Sequence, residues 1–177
     1  IPKYDPIWAK AQELDVLIFL HPDGFTHGDR LAEHYFINVL GNPLDTTIAV
    51  HHLIFKGVLE RYPDLRILLA HGGGFIAAYP GRIDHAWSAR ADAHSNLPNP
   101  PTSYLKKMYF DTAVYTPHQL RFLVDFYGAD HVVMGTDYPF DMAEFRPVEH
   151  VLETDGLDDA QKAAIISENA HRLLKLR

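Results

Sequence analysis

Four short apolar runs, DVLIFL (15–20), LRILLA (65–70), MYF (108–110) and HVVMG (131–135), each give way within two residues to a histidine or an aspartate. Each run is too short for a helix and rich in aliphatic, β-branched or aromatic residues, so each reads as a buried strand. Helical patterns lie between them. In DTTIAVHHLIFKGVLERY, Ile48, Phe55, Val58, Leu59 and Tyr62 recur at near-helical spacing, with Asp45 or Thr46 as the expected N-cap and Pro63 as the stop. Thr116 and Pro117 open another helix that Gly128 closes, and a last helical pair is expected between Asp158 and Leu176. Unbroken apolar strands alternating with helices imply a parallel sheet covered by helices, the α/β class. Two irregular stretches interrupt the alternation: a long loop after the first strand, read as a lid or pocket wall, and a proline-rich crossing over 90–104. With no repeat, low-complexity tract or internal linker, residues 1–177 are expected to form a single domain.

The residues that follow the strands are His21, His71, Asp111 and Asp137. All four fall at the carboxyl edge of the expected sheet, where parallel β/α folds carry their active sites. Histidine with carboxylate suits a divalent cation, zinc above all, or manganese as the share of oxygen ligands rises. Such an ion acidifies bound water or grips a substrate oxygen. The plainer reading is that each group caps a loop or satisfies backbone amides. The chain has no cysteine, so thiolate ligands, disulfides and cysteine nucleophiles are excluded, and a cytoplasmic setting is expected. Sixteen basic against 23 acidic residues give a net charge of −7 and no basic stripe, which argues against nucleic acid. No window approaches the ~20 apolar residues of a membrane span.

LAHGGG (69–74) is ambiguous, because an HGGG stretch also builds the oxyanion hole of lipases and esterases. Those enzymes need a serine in G-x-S-x-G, and Ser88, Ser95, Ser103 and Ser167 all lie outside that context. Gly72, Gly73 and Gly74 therefore read as a tight strand-to-helix turn, with room and free amides beside His71.

LIFLHP, LIFKGVLERYPDLRILLAHGGG, GRIDHAW, YFDT, VMGTDYPF and ENAHRLL, in this order, resemble the amidohydrolase-2 family, in particular its aminocarboxymuconate-semialdehyde decarboxylase-like branch. The resemblance runs from about His21 to Leu173 and implies a metal-dependent TIM (β/α)8 barrel. It implies His21 and Asp137 as metal ligands, with Asp137 also counted as catalytic, and His71 as the general acid/base. It further implies Arg82 as a carboxylate contact across a homodimer interface and Tyr35 as a pocket-lining aromatic. The family's first strand carries an H-x-H pair of further ligands, and no H-x-H occurs in this chain. His51 and His52 are adjacent on a helix and point about 100° apart, so they cannot substitute. The chain therefore resembles strands five to eight of the barrel without the first half, and its start at Ile1 reads as an interior cut or a processed end.

The expected activity is non-oxidative decarboxylation of a small unsaturated or aromatic carboxylic acid. The rivals are a metal-dependent hydrolase or hydratase on the same scaffold and a non-catalytic half-barrel interaction module. Alone, the 177-residue chain is expected to be inactive and to bind metal poorly, with its two outer strands as open edges. His34, His85, His94, His118, His131, His150 and His171 read as surface or hydrogen-bonded residues, while His27 shares the lid loop and is a weaker pocket candidate. Asp111 reads as a supporting residue, and Gly57 as a close-packing site inside a helix.

Overall fold

The computed structural model describes residues 2–23, 28–94 and 96–176. Four strands, β1 (Leu17–Leu20), β2 (Arg66–Leu69), β3 (Tyr109–Asp111) and β4 (Val132–Val133), form one parallel sheet in sequential order. They coincide with the four apolar runs, with β3 reaching one residue further to Asp111. Each crossover is helical, and the result is the α/β arrangement of half a (β/α)8 barrel.

Side chains alternate across a strand, and partners in a parallel register point the same way. Leu20, Leu69, Phe110 and Val132 pair successively across the sheet and belong to the core, together with Leu53, Ile54, Leu120 and Leu123 from the helices. The neighbouring row, Phe19, Leu68 and Tyr109, looks the other way, and Phe19 is 55% exposed. An apolar row of this kind fills the interior when a barrel is closed. The helices thus cover one face of the sheet, and the other is the barrel's inner surface.

Several helix boundaries differ from the sequence reading. The helix expected to start at Asp45 or Thr46 runs from Asn42 to Phe55 and is preceded by a π turn over Ile37–Gly41. Pro43 has no N–H to give, and the wide turn, closed by Asn42 N donating to Ile37 O, carries the helix past it. Asp45 lies in the first α turn and Thr46 is fully buried, so neither caps. Gly57 is not packed inside a helix: at φ +67° it separates Asn42–Phe55 from Val58–Arg61. The expected final pair is one helical run, Asp159–Leu174, passing through a π turn at Ala164–Glu168. Asp158 and Gln161 open it with a reciprocal capping box. The Thr116 cap is as expected, its Oγ1 accepting from Gln119 N, and Gly128 ends that helix at φ +98°. Asn169 of ENAHRLL explains how a two-residue β4 holds its place. Fully buried, its Nδ2 donates to the carbonyls of Ala129 and Val132, at 2.8 and 2.7 Å.

Among the described residues, no helix is long and apolar enough to cross a membrane.

His150 is the exception among the histidines read as surface residues. It is buried, and Nε2 has no hydrogen-bond partner among the described residues. Burial lowers its pKa from 6.5, with Glu144 and Glu153 opposing. The unfolded chain takes up this proton first as pH falls, so below about 6.5 the unfolded state holds more protons and stability drops until the folded pKa is passed. Thermal unfolding at pH 7.5 and 5.5 should therefore show a smaller loss of Tm in His150→Leu than in the parent. Equal losses would show that this imidazole contributes nothing to the acid limb.

Candidate active site

The strand ends carry their groups to one point. His21 follows β1 directly, His71 opens the turn after β2, and Asp137 lies four residues beyond β4. His21 Nε2 and His71 Nε2 each lie 3.6 Å from Asp137 Oδ1, and one ligand atom from each of the three falls within 4.8 Å of the others. Ligand distances of ~2.0–2.2 Å in a tetrahedral site put neighbouring ligand atoms roughly 3.4 Å apart, so the set has the chemistry and nearly the spacing to hold a divalent ion. The two imidazoles meet edge to face at 4.9 Å, and Phe140 stacks against His21 at 6.0 Å. His71 and Asp137 are largely withdrawn from solvent, with side chains 13% and 9% exposed.

Asp111, buried at the end of β3, organises this point without joining it. Its Oδ2 accepts from His71 N at 3.0 Å, and its Oδ1 accepts from Gly72 N at 2.8 Å and Ala113 N at 3.1 Å. Burial raises its pKa, and these backbone donors together with the nearby His71 charge pull the other way. Gly135 of GTDYP lets β4 pass close by, since a Cβ there would lie 2.8 Å from Asp111 Cβ. The amides of Gly72 and Gly73, expected to be free, are committed to Asp111 Oδ1 and Ala70 O. The HGGG turn is thus a positioning device for His71, with all three glycines at positive φ. His71, Asp137 and Tyr115 also sit at positive φ, +55°, +58° and +60°. Non-glycine residues rarely adopt this region, and such strain clusters at functional sites.

Beside the cluster is a cavity of about 330 Å³, within the range of small-molecule sites, walled by His71, Asp137, Asn42, Phe75, Tyr115 and Met142 among others. A second depression of about 280 Å³, holding His21 and Phe140, shares Asn38, Asn42, His71 and Asp137 with it. The sequence reading missed Asn42 and Tyr115. Tyr115 Oη donates to Met142 O at 2.8 Å, and burial, reinforced by Asp137, Asp111 and Glu144, pushes its pKa up to about 12. An aromatic four residues past a strand-end aspartate was the available signal.

Tyr35 and Arg82 are not among the residues lining this chain's main cavity. Tyr35 lines an adjoining depression with Asn38 and Asn42, is 51% exposed, and donates its hydroxyl to Asp141 Oδ1 at 2.7 Å. It therefore bridges the rim between the loops after β1 and β4 and does not line the cavity beside His71 and Asp137. Arg82 is exposed on the helix Gly81–Ala89 and faces an open depression with Tyr79, His85, Phe122 and Phe126, which shares Ala78 with the main cavity. It makes no ion pair among the described residues, while Asp84 and Glu60 are engaged by Thr102 and Tyr104. His27 lies outside the described residues.

The model of an amidohydrolase family matches residues 2–176. The chain is 32% identical over 176 residues to 2-amino-3-carboxymuconate-6-semialdehyde decarboxylase of Dictyostelium discoideum, covering 99% of this chain and 49% of that one. It is 28% identical over 184 residues to gamma-resorcylate decarboxylase of Rhodococcus jostii, covering 99% and 55%. Among solved structures it resembles a dihydroxybenzoic acid decarboxylase from Polaromonas sp. JS666 with bound manganese and the inhibitor 2-nitroresorcinol. The TM-score there is 0.87 at 25% identity, with 99% of this chain and 55% of that one covered. The chain thus spans about half the length of the relatives it matches.

Proposed function

Because the chain belongs to the amidohydrolase family, whose model spans residues 2–176, we propose that it supplies strands five to eight of a metal-dependent, non-oxidative decarboxylase of a small aromatic or unsaturated carboxylic acid. The observation that carries this reading is the convergence of His21, His71 and Asp137 beside a largely apolar cavity. His21 and Asp137 would hold the ion, manganese or zinc, which when bound supplies positive charge to stabilise substrate oxygens. His71 is the general acid: its proton passes from Nε2 to the carbon that carries the carboxylate. The bond from that carbon to the carboxylate breaks, its electron pair returns to the unsaturated system, and carbon dioxide leaves. The apolar walls exclude water from this exchange. Residues 1–177 act in this reading as one domain, in the cytoplasm.

The test is trapping of labelled carbon dioxide from carboxyl-labelled benzoates by the full-length, metal-loaded protein. Release of the labelled gas supports decarboxylation, whereas turnover with the carboxyl group retained would assign the scaffold to a hydrolase or hydratase.

Homodimerisation is part of the same proposal. The exposed Arg82 guanidinium, which makes no ion pair among the described residues and stands amid Tyr79, Phe122 and Phe126, suits a subunit interface, where arginine can grip a carboxylate with two parallel bonds. Mixed dimers of Arg82→Ala with His71→Ala chains should regain part of the activity that either homodimer lacks. No recovery in well-formed mixed dimers would count against a shared site.

A further inference from the structure

Loop 136–144, which follows β4, closes on itself. Glu144 N donates to Thr136 O at 2.8 Å across its neck, and Phe140 N and Ala143 N donate to Asp137 O and Phe140 O within it, at 3.0 and 3.1 Å. A loop of this length whose ends meet is a compact unit that can turn about its neck. Asp137 lies at that neck, one residue in. Further out, Phe140 lines the depression that holds His21, and Met142 lines the cavity beside His71. The tip is thus a wall of both depressions, and its position sets how wide they stand open.

The tip is held lightly. Residues 138–141 are exposed. Three contacts tie the tip to other segments: Phe140 stacks on His21 at 6.0 Å, Tyr115 Oη donates to Met142 O at 2.8 Å, and Tyr35 Oη donates to Asp141 Oδ1 at 2.7 Å. Segments secured by exposed hydrogen bonds and few buried contacts open at low free energy. The Tyr35 contact has the longest reach of the three. Tyr35 belongs to the loop after β1, and β1 and β4 are the two ends of the sheet, so this bond joins the loops of the outermost strands. His34 and Tyr35 both sit at positive φ, +55° and +62°. Two consecutive non-glycine residues in that region carry strain that the contacts around them must balance.

We propose that loop 136–144 is a flap over the cluster of His21, His71 and Asp137, latched by the hydrogen bond from Tyr35 to Asp141, and that release of this latch sets the rates of ligand entry and exit. For the substrate acid this rests on the reading of the cavity as its seat. A latch made equally well with and without ligand changes both rates by one factor and leaves their ratio, the affinity, unaltered. A side chain that touches the ligand acts otherwise: its loss speeds exit and weakens binding.

The probes are manganese ion, its capture timed by mixing and its release by transfer to excess chelator, and 2-hydroxybenzoate, followed by stopped-flow fluorescence on the full-length, manganese-loaded protein. The variants are Tyr35→Phe, Asp141→Ala, the two combined, and Asp141→Asn, which keeps an oxygen acceptor. Tyr35→Phe and Asp141→Ala should each raise entry and exit rates of both probes about three- to tenfold, the effect of one exposed hydrogen bond, with Kd unchanged within about twofold. The combined variant should add nothing further, since both changes remove the same bond, and Asp141→Asn should behave as the parent. Both side chains are exposed, so the fold survives these changes. Unchanged rates, additive effects of the two single changes, or lost affinity at a constant entry rate would each overturn the latch. A parent that does not bind 2-hydroxybenzoate refutes the cavity as the seat of such an acid and leaves the latch to be decided by the manganese rates. Carbon dioxide release with rates indifferent to Tyr35 and Asp141 does the reverse.

Discussion

Replacing His71 by alanine in the full-length protein should lower turnover by about 10² to 10⁴-fold while the metal content survives dialysis, the loss typical of a positioned acid/base. The substitution acts on chemistry more than on folding, because the link to Asp111 is made by the backbone N–H of His71, which alanine keeps. The same geometry makes the experiment decisive about roles. His21 Nε2 and His71 Nε2 stand at the same 3.6 Å from Asp137 Oδ1, so distance alone gives either imidazole the same claim on the ion. His21→Ala should release the metal. If the ion instead leaves with His71 and stays with His21→Ala, the two roles are exchanged.

Asp111→Ala should be the most damaging single change to the scaffold of the site. It removes the acceptor for three backbone N–H groups, those of His71, Gly72 and Ala113, in a place from which water is excluded. Each buried unsatisfied donor costs about 1–3 kcal/mol, so a total of roughly 3–5 kcal/mol is expected after partial relaxation. Denaturant unfolding of the parent and the variant measures this directly, and a loss below about 1 kcal/mol would show that the loop re-satisfies its amides in another way. Activity should fall with stability, since the turn that aims His71 loses its anchor. Asp111→Asn should not rescue it. Both carboxylate oxygens accept, and an amide would set its own N–H₂ against a backbone donor.

The fold and the chemical centre were legible in the chain for the same reason. A buried parallel strand must be a short apolar run, and in β/α folds its carboxyl end is where polar function is placed. DVLIFL, LRILLA, MYF and HVVMG supply the four strands, β3 reaching one residue further to Asp111, and His21, His71 and Asp137 after them meet at one point. Local chemistry also located the Thr116 cap, the Gly128 stop and the supporting character of Asp111. These features depend on neighbours in sequence or on the period of a strand.

What only the tertiary structure decided depends on distance through space. The seating of the helix Asn42–Phe55 against the β2 connection, where Thr47 Oγ1 accepts from Phe75 N and Ile76 N, places Asn42 at the cavity, and no local propensity encodes it. Tyr35 and Arg82 have suitable chemistry in the sequence, but the curvature of the sheet and the course of the loops place one at the rim and the other in a neighbouring depression. His150 reads as an ordinary polar residue until the core closes over it. The residue types that can do chemistry are written in the chain and their order along it bounds the fold, whereas which of them share one small volume is set by long-range packing alone.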